Sequence, residues 1–432
     1  MIDGNIALIV ALGLLLVVGA PVAVAVGLAG FIAIAIGLDS SALPMVGTNT
    51  FASIAKYPLV AIPLFILTGV IFERSGVAAR LVTFAQAIVG PRRGGLAVVA
   101  VLVCMIMGGI SGSGPADAAA VATIMLPSMM RAGYPNAFSA SVIAAGASTA
   151  LLIPPSIALI VYSLYVPGVD LRALFAAGLI PGILAGLAVI LPAVLISRRY
   201  GFGAGEEARR PEFWPSLIDA VPGLFAPVLI LGGLRSGLFT PTEAAAVAVF
   251  YGLAIGLFVY RNMSLRGLYE ALADAAETSA AVLLIVGLAG LFAWAGSTLG
   301  AFDSAAAAIL AWTHDPIIVL LLIMAVLLFA GMILDGVSIY LITLPLLYPM
   351  AVALDWNLVW FGVLMAINVA IGQFTPPVAV NLIVTARIGK VPIEHTVGWV
   401  LWMVLAMALV LLAIILVPDL ALWLPTALGY RV

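Results

Sequence analysis

Of the 432 residues, 65% are hydrophobic and only 8% are charged, whereas a soluble domain runs at roughly 45–50% and 25%. So apolar a chain cannot cover itself with polar surface, which excludes a water-soluble enzyme or binding module and places it in lipid. The net charge of −2 offers no basic face to a nucleic acid, and a single cysteine, Cys104, excludes an intrachain disulfide or a cysteine metal cluster.

Residues 4–38 carry no charge, nor do residues 132–169. Each stretch exceeds the roughly 20 apolar residues that one spanning helix needs, and neither alternates as an outer-membrane strand would. The polar punctuation predicts a helix over 6–19 and, after Pro21, a second to about residue 38. The first lies beside Asp3 with no basic leader, so it reads as a retained span and not a signal peptide. A third helix is expected over 59–72 and an amphipathic one over 77–89, leading to Pro91-Arg-Arg-Gly94. Two short apolar runs, about 95–131, then flank Gly108-Gly-Ile-Ser-Gly-Ser-Gly-Pro-Ala-Asp117. A helix over about 137–165, broken at Pro154-Pro155-Ser156, and another over 174–197 complete the first half. The hydrophilic residues 198–215 read as a loop.

The second half repeats this order. Helices over 217–234 and 242–260 meet near Phe239-Thr-Pro241, and a third span lies within 278–299. Short runs, about 316–354, flank Gly331-Met-Ile-Leu-Asp-Gly-Val-Ser338. A helix over about 358–386 is broken at Thr375-Pro-Pro377, and a last one covers 397–417. Asp117 lies ten residues before Pro127, as Asp335 does before Pro345, and a double proline follows each. Repeats with interrupted apolar segments at matching positions are the best sequence pointer to a transporter's binding site.

Basic residues set the orientation. Arg92, Arg93 and Arg131 bracket the first pair of short runs, so both ends are expected in the cytoplasm and the pair forms a re-entrant hairpin. The second pair is bracketed by His314-Asp-Pro316 and Asp355-Trp-Asn357, without Lys or Arg, and is expected to enter from outside. With five crossings per half, Arg198, Arg199, Arg209, Arg210, Arg261, Arg266, Arg387 and Lys390 fall inside and both termini outside. Arg235, Arg431 and Lys56 are exceptions. The expected fold is an all-α polytopic membrane protein of two inverted repeats, 1–200 and 217–432, joined by a cytoplasmic linker, 201–216. Each repeat holds one hairpin and one Pro-Pro-broken helix.

The glycine-serine tip carries the sharpest chemistry. Glycines allow a tight turn, Pro115 suits the first turn of a new half-helix, and the exposed amides there can hold a carboxylate. Ser111, Gly112, Ser113 and Gly114 are therefore substrate candidates, together with Pro155, Ser156 and Pro377 from the two breaks. Each break removes backbone donors and frees carbonyls one turn earlier, which a cation can satisfy. One cation site is expected from Ser111, Ser113, Ser148, Thr149 and Pro154. A second is expected from Gly331, Asp335, Gln373, Thr375 and Pro376. The blander readings are a polar turn at the membrane surface and plain proline kinks; the paired arrangement outweighs them. Asn368 and Asn381 read equally as interhelical glue, and Glu243 as a helix-start partner in a scaffold.

Two alternatives deserve weighing. Gly109-Ile-Ser-Gly112 matches the serine motif of rhomboid-type intramembrane proteases, but that chemistry needs a histidine base, and His314 and His395 fall at membrane edges. A channel subunit is the other. No Walker loop is present, so ATP does not drive the chain directly.

In sum of its motifs the chain resembles the large membrane subunit of TRAP (tripartite ATP-independent periplasmic) transporters. The resemblance covers essentially the whole chain. It rests on Gly19-Ala-Pro-Val-Ala23, Ile62-Pro-Leu-Phe65, the tip with Ala116-Asp-Ala-Ala-Ala120, Leu126-Pro127 and Gly133-Tyr134. Ile153-Pro-Pro-Ser156, Phe239-Thr-Pro-Thr-Glu-Ala244 and Thr375-Pro-Pro-Val378 complete the ordered set. It implies Na⁺ at both cation sites, import of organic acids such as dicarboxylates or sialic acids, and an elevator in which hairpins and broken helices move against a scaffold. It also implies a bacterial or archaeal inner-membrane location and two partners, a small four-helix membrane subunit, expected to be unfused, and a periplasmic binding protein.

Overall fold

The computed structural model describes residues 4–38, 42–203, 210–313 and 315–432. Asp3, Arg209 and His314, on which part of the orientation reading rests, lie outside the described residues, as does the middle of the linker. Every regular element among the described residues is helical.

The first half contains α1 (Gly4–Val17), α2 (Val22–Gly37), α3 (Pro44–Ile54), α4 (Ala61–Arg74) and α5 (Val77–Val89). It continues with α6 (Gly95–Ser111), α7 (Gly114–Arg131), α8 (Asn136–Ala147), α9 (Ile157–Tyr165) and α10 (Leu171–Tyr200). The second half contains α11 (Phe213–Arg235), α12 (Pro241–Ala254), α13 (Leu265–Leu299) and α14 (Ala301–Trp312). There follow α15 (Pro316–Gly331), α16 (Gly336–Ala353), α17 (Leu358–Gly372), α18 (Val380–Gly389), α19 (Val397–Leu416) and α20 (Asp419–Ala427). Seven helical stretches among the described residues are long and apolar enough to cross a membrane, among them α10, α11, α13 and α19. The chain is a polytopic, all-α membrane protein.

Both halves contain a hairpin followed by a broken helix. Hairpin α6–α7 packs on α8, and hairpin α15–α16 packs on α17. Broken helix α8–α9 answers α17–α18, and both breaks contain a Pro-Pro pair, Pro154-Pro155 and Pro376-Pro377. The two halves also interlock: α9 packs on α16, and α18 packs on both α7 and α8. Outside this core, α2 and α4 pack on α13, α12 on α4, and α11 on α5.

Several boundaries differ from the sequence expectations. Helix α13 starts at Leu265, well before the expected span near Thr278, and takes in Arg266, Glu270, Asp274 and Glu277. Those charges fall outside the expected span, but at helical spacing they lie on one helix surface: Arg266 pairs with Glu270 at 3.1 Å, and Arg74 of α4 bonds Glu270 at 3.0 Å and also Asp274. Half-exposed pairs of this kind contribute about 0–1 kcal/mol each, so they align α4 and α13 more than they hold them. Helix α3, its start set by Pro44 in the first turn, packs on α13. Between α3 and α4 the chain is interrupted at Lys56-Tyr-Pro58, where proline cannot continue a helix interior. Helices α14 and α20 also fall where no element was expected. The expected loop 198–215 is helical at both ends, since α10 runs to Tyr200 and α11 begins at Phe213.

Candidate functional site

Both hairpin tips open onto one cavity of about 210 Å³. Ser111, Gly112, Ser113 and Gly114 line it from the first tip, Asp335 and Gly336 from the second. Gln373 closes it from the second break, Ile157 and Ala158 from the first, and α4 and α13 form the opposite wall through Gly69 and Thr278. Asp335 is the one ionisable residue among the lining residues.

Local sequence explains the first tip. Gly112 ends α6 at φ +64°, a conformation that costs residues with a β-carbon. Its face lies on the first break: an added Cβ would fall 3.2 Å from Ile157 N and from Ser156 Cα, and closer still to the Pro155 carbonyl oxygen. Ser111, 2% exposed, donates through Oγ to Asp117 Oδ1 at 2.7 Å and accepts from Ser113 N at 3.1 Å. Asp117 is itself 1% exposed, and its Oδ2 has no hydrogen-bond partner. On the scaffold side, a Cβ at Gly69 would meet Ser111 Cβ at 2.9 Å. The tip is therefore in contact with the break on one side and α4 on the other.

The second tip is seated differently. Asp335 is the N-cap of α16 and accepts from Ser338 N at 3.1 Å and from the Ser338 hydroxyl. Asp117, at the matching distance from its proline, lies inside the first turn of α7 instead. Gly331 and Gly372 bring α15 and α17 together, with Gly331 Cα 2.5 Å from a Cβ built on Gly372. The Ala379 amide donates to Met332 O at 2.9 Å, which ties the second break to its tip.

Three helix N-termini thus face the cavity: α7 at Gly114, α9 at Ile157 and α16 at Gly336. Each presents the positive end of its dipole, with one first-turn amide already taken by Ser156 in α9 and by Asp335 in α16. Three of the cation candidates share another trait. Ser148 Oγ donates to Ala145 O, Thr149 Oγ1 to Gly146 O and Thr375 Oγ1 to Ile371 O, at 2.7, 2.7 and 2.6 Å. A hydroxyl that spends its proton on its own helix keeps oxygen lone pairs free for a cation. Among the described residues no three His, Cys, Asp or Glu side chains cluster.

Residues 9–420 match the family model for the DctM component of tripartite ATP-independent periplasmic transporters. The chain belongs to this family. It is 38% identical over 379 residues to the C4-dicarboxylate TRAP transporter large permease protein DctM of Pseudomonas aeruginosa, covering 88% of each chain. It is 36% identical over 406 residues to the isethionate TRAP transporter permease protein DctMQ of Oleidesulfovibrio alaskensis, covering 94% of this chain but 64% of that longer one. The fold resembles the YdaH transporter of Alcanivorax borkumensis, with a TM-score of 0.65 at 16% identity over 90% of each chain.

Within this DctM chain the expected site residues divide. Ser111, Gly112, Ser113, Gly114, Asp335 and Gln373 line the cavity. Gly331, Ser148, Thr149, Pro154, Thr375 and Pro376 are not among its lining residues, and Pro154 lines a second concavity. Ser156 is fully buried as the N-cap of α9, donating to Leu151 O at 2.7 Å and accepting from Leu159 N at 3.4 Å. Pro155 packs under Gly112, and Pro377 is exposed away from the cavity. Gln373 uses Nε2 on Leu334 O at 3.1 Å. Asn368 bonds Met324 O at 2.6 Å and is interhelical glue. Asn381 is fully buried with neither amide atom bonded, against Gly114 of the other half. Glu243 forms a capping box with Thr240 and belongs to the start of α12. The contribution of α4 and α13 to the cavity had no signal in the sequence beyond Gly69 and Thr278 themselves.

Proposed function

We propose that this DctM subunit carries an organic acid, bound by its carboxylate at the hairpin tips, across the inner membrane in symport with Na⁺. The observation that carries this reading is the convergence of three helix N-termini on a cavity without Lys or Arg. Such ends favour an anion through backbone amides alone, and a substrate carboxylate would sit between the tips at Ser111–Gly114 and Gly336. Na⁺ would be held by the oxygens of Ser111, Ser113, Ser148, Thr149 and Pro154 in one place, and of Gly331, Asp335, Gln373, Thr375 and Pro376 in the other. Its charge would offset the carboxylates of buried Asp117 and part-exposed Asp335, which otherwise repel an anion. The similarity to a C4-dicarboxylate permease supports the substrate class.

Translocation would move α6–α9 and α15–α18 as a body against α2, α4, α11, α12 and α13. The first hairpin would enter from the cytoplasmic side and the second from outside, with both termini outside. A periplasmic binding protein would deliver substrate and a small four-helix subunit would brace the scaffold. Reconstitution tests the whole reading. Uptake into proteoliposomes should require both partners and an inward Na⁺ gradient. Partner-free flux indifferent to Na⁺ would refute symport and indicate a channel.

A further inference from the structure

A second concavity, of about 120 Å³, opens between α10, α11 and α20, apart from the substrate cavity. Phe175 and Leu179 of α10, Leu231 and Leu234 of α11 and Leu428 after α20 make its walls apolar. Its inner end reaches Pro154, and its mouth is formed by Arg172, Arg235 and Tyr430. Helices α10 and α11 are both long and apolar enough to cross a membrane, with Arg172 in the first turn of one and Arg235 in the last turn of the other. At 1.5 Å per residue, Leu179 lies about 10 Å deeper than Arg172. The groove therefore begins where the membrane edge must lie and descends into the hydrocarbon.

The charges at the mouth are arranged for an anion. Arg235 is exposed and forms no hydrogen bond or ion pair among the described residues. Arg172 is clamped by Asp170, with Nε 3.3 and 3.2 Å from the two carboxylate oxygens and Nη2 2.9 Å from one of them, while its guanidinium lies 5.9 Å from the Tyr430 ring. Asp170 is thus neutralised and orients Arg172, and the charge of Arg235 is left over. Two guanidinium groups above an apolar slot match one ligand class. A free phosphate satisfies the arginines but leaves the slot empty, and a zwitterionic headgroup brings a cation beside them.

We propose that this groove binds one anionic phospholipid, its phosphate between Arg172 and Arg235 and the upper part of one acyl chain between α10 and α11. Its walls join two packing groups: α10 lies on α6, α17 and α19, and α11 on α5 and α12. The bound lipid touches both.

Native mass spectrometry of the purified full-length chain in detergent tests this without a transport assay. Phosphatidylglycerol should be retained as a single adduct that phosphatidylcholine does not replace. Arg235→Ala should weaken retention by about tenfold, the order expected for losing a charge-assisted contact, and Arg235→Lys should recover part of it. Leu231→Trp should block the slot and abolish the adduct while Arg235 stays in place; a melting temperature like that of the parent shows that the variant is folded. Equal retention of both lipids, unchanged binding in Arg235→Ala, or displacement of the lipid by inorganic phosphate would each overturn the proposal.

Discussion

Gly112 and Pro155 meet backbone to backbone, with no space for a side chain between the tip of the first hairpin and the break in the following helix. Gly112→Ala adds overpacking of about 1–3 kcal/mol and a left-handed φ that costs about 1–2 kcal/mol. Na⁺-driven uptake should fall by at least about tenfold at equal membrane abundance. Parental uptake by the variant would show that the tip and break need not touch.

Thr375 and Ser156 separate cation binding from helix capping. Thr375→Ala removes an oxygen with free lone pairs and should raise the Na⁺ concentration for half-maximal uptake by about tenfold, as for a contact to a charged group. Thr375→Ser keeps that oxygen and should restore it. Ser156→Ala removes the N-cap of α9 and should cost about 1 kcal/mol of stability, lowering the melting temperature and leaving the Na⁺ titration in place. A shifted Na⁺ titration in Ser156→Ala would assign that hydroxyl to the cation.

Gly69 is where the first tip rests on α4. Gly69→Leu should wedge Ser111 away from that helix and suppress uptake, while binding-protein docking, read by surface plasmon resonance, stays as in the parent. Full uptake in this variant would mean that the tip and α4 do not have to meet during transport.

The opposite entry of the hairpins is tested in a Cys104→Ser background, since Cys104 is the chain's only thiol. Arg92→Cys should react with a membrane-impermeant maleimide only in inside-out vesicles, and Asp315→Cys only in right-side-out ones. Labelling of both from one side would remove the inverted relation.

How far the sequence could be read depended on what set each element. Hairpins and breaks were legible because prolines and glycines mark them directly: the Ser-Gly-Ser-Gly tip, and a Pro-Pro pair after each hairpin. Helix α13 was legible only in its apolar part, since Glu270, Asp274 and Glu277 disguise a helix whose charges are answered from α4. Site geometry was harder. Ser156 beside a Pro-Pro pair reads as a substrate ligand, while a serine just before a helix is equally an N-cap, and its bonds to Leu151 and Leu159 show the capping role, which no local pattern singles out. Asn381 meets Gly114 across 267 positions of chain, a contact that no local pattern encodes.

The interlock of α9 with α16, and of α18 with α7 and α8, bears on how the molecule is made. When the ribosome has delivered the first 200 residues, α9 and the first hairpin are already in the bilayer, but α16 and α18, on which they also pack, have not yet emerged. The early half must wait with the faces of α7, α8 and α9 that meet α16 and α18 uncovered until residues near 389 have been inserted. Separately encoded halves should therefore accumulate only when co-expressed, and either one made alone should be cleared by membrane proteases.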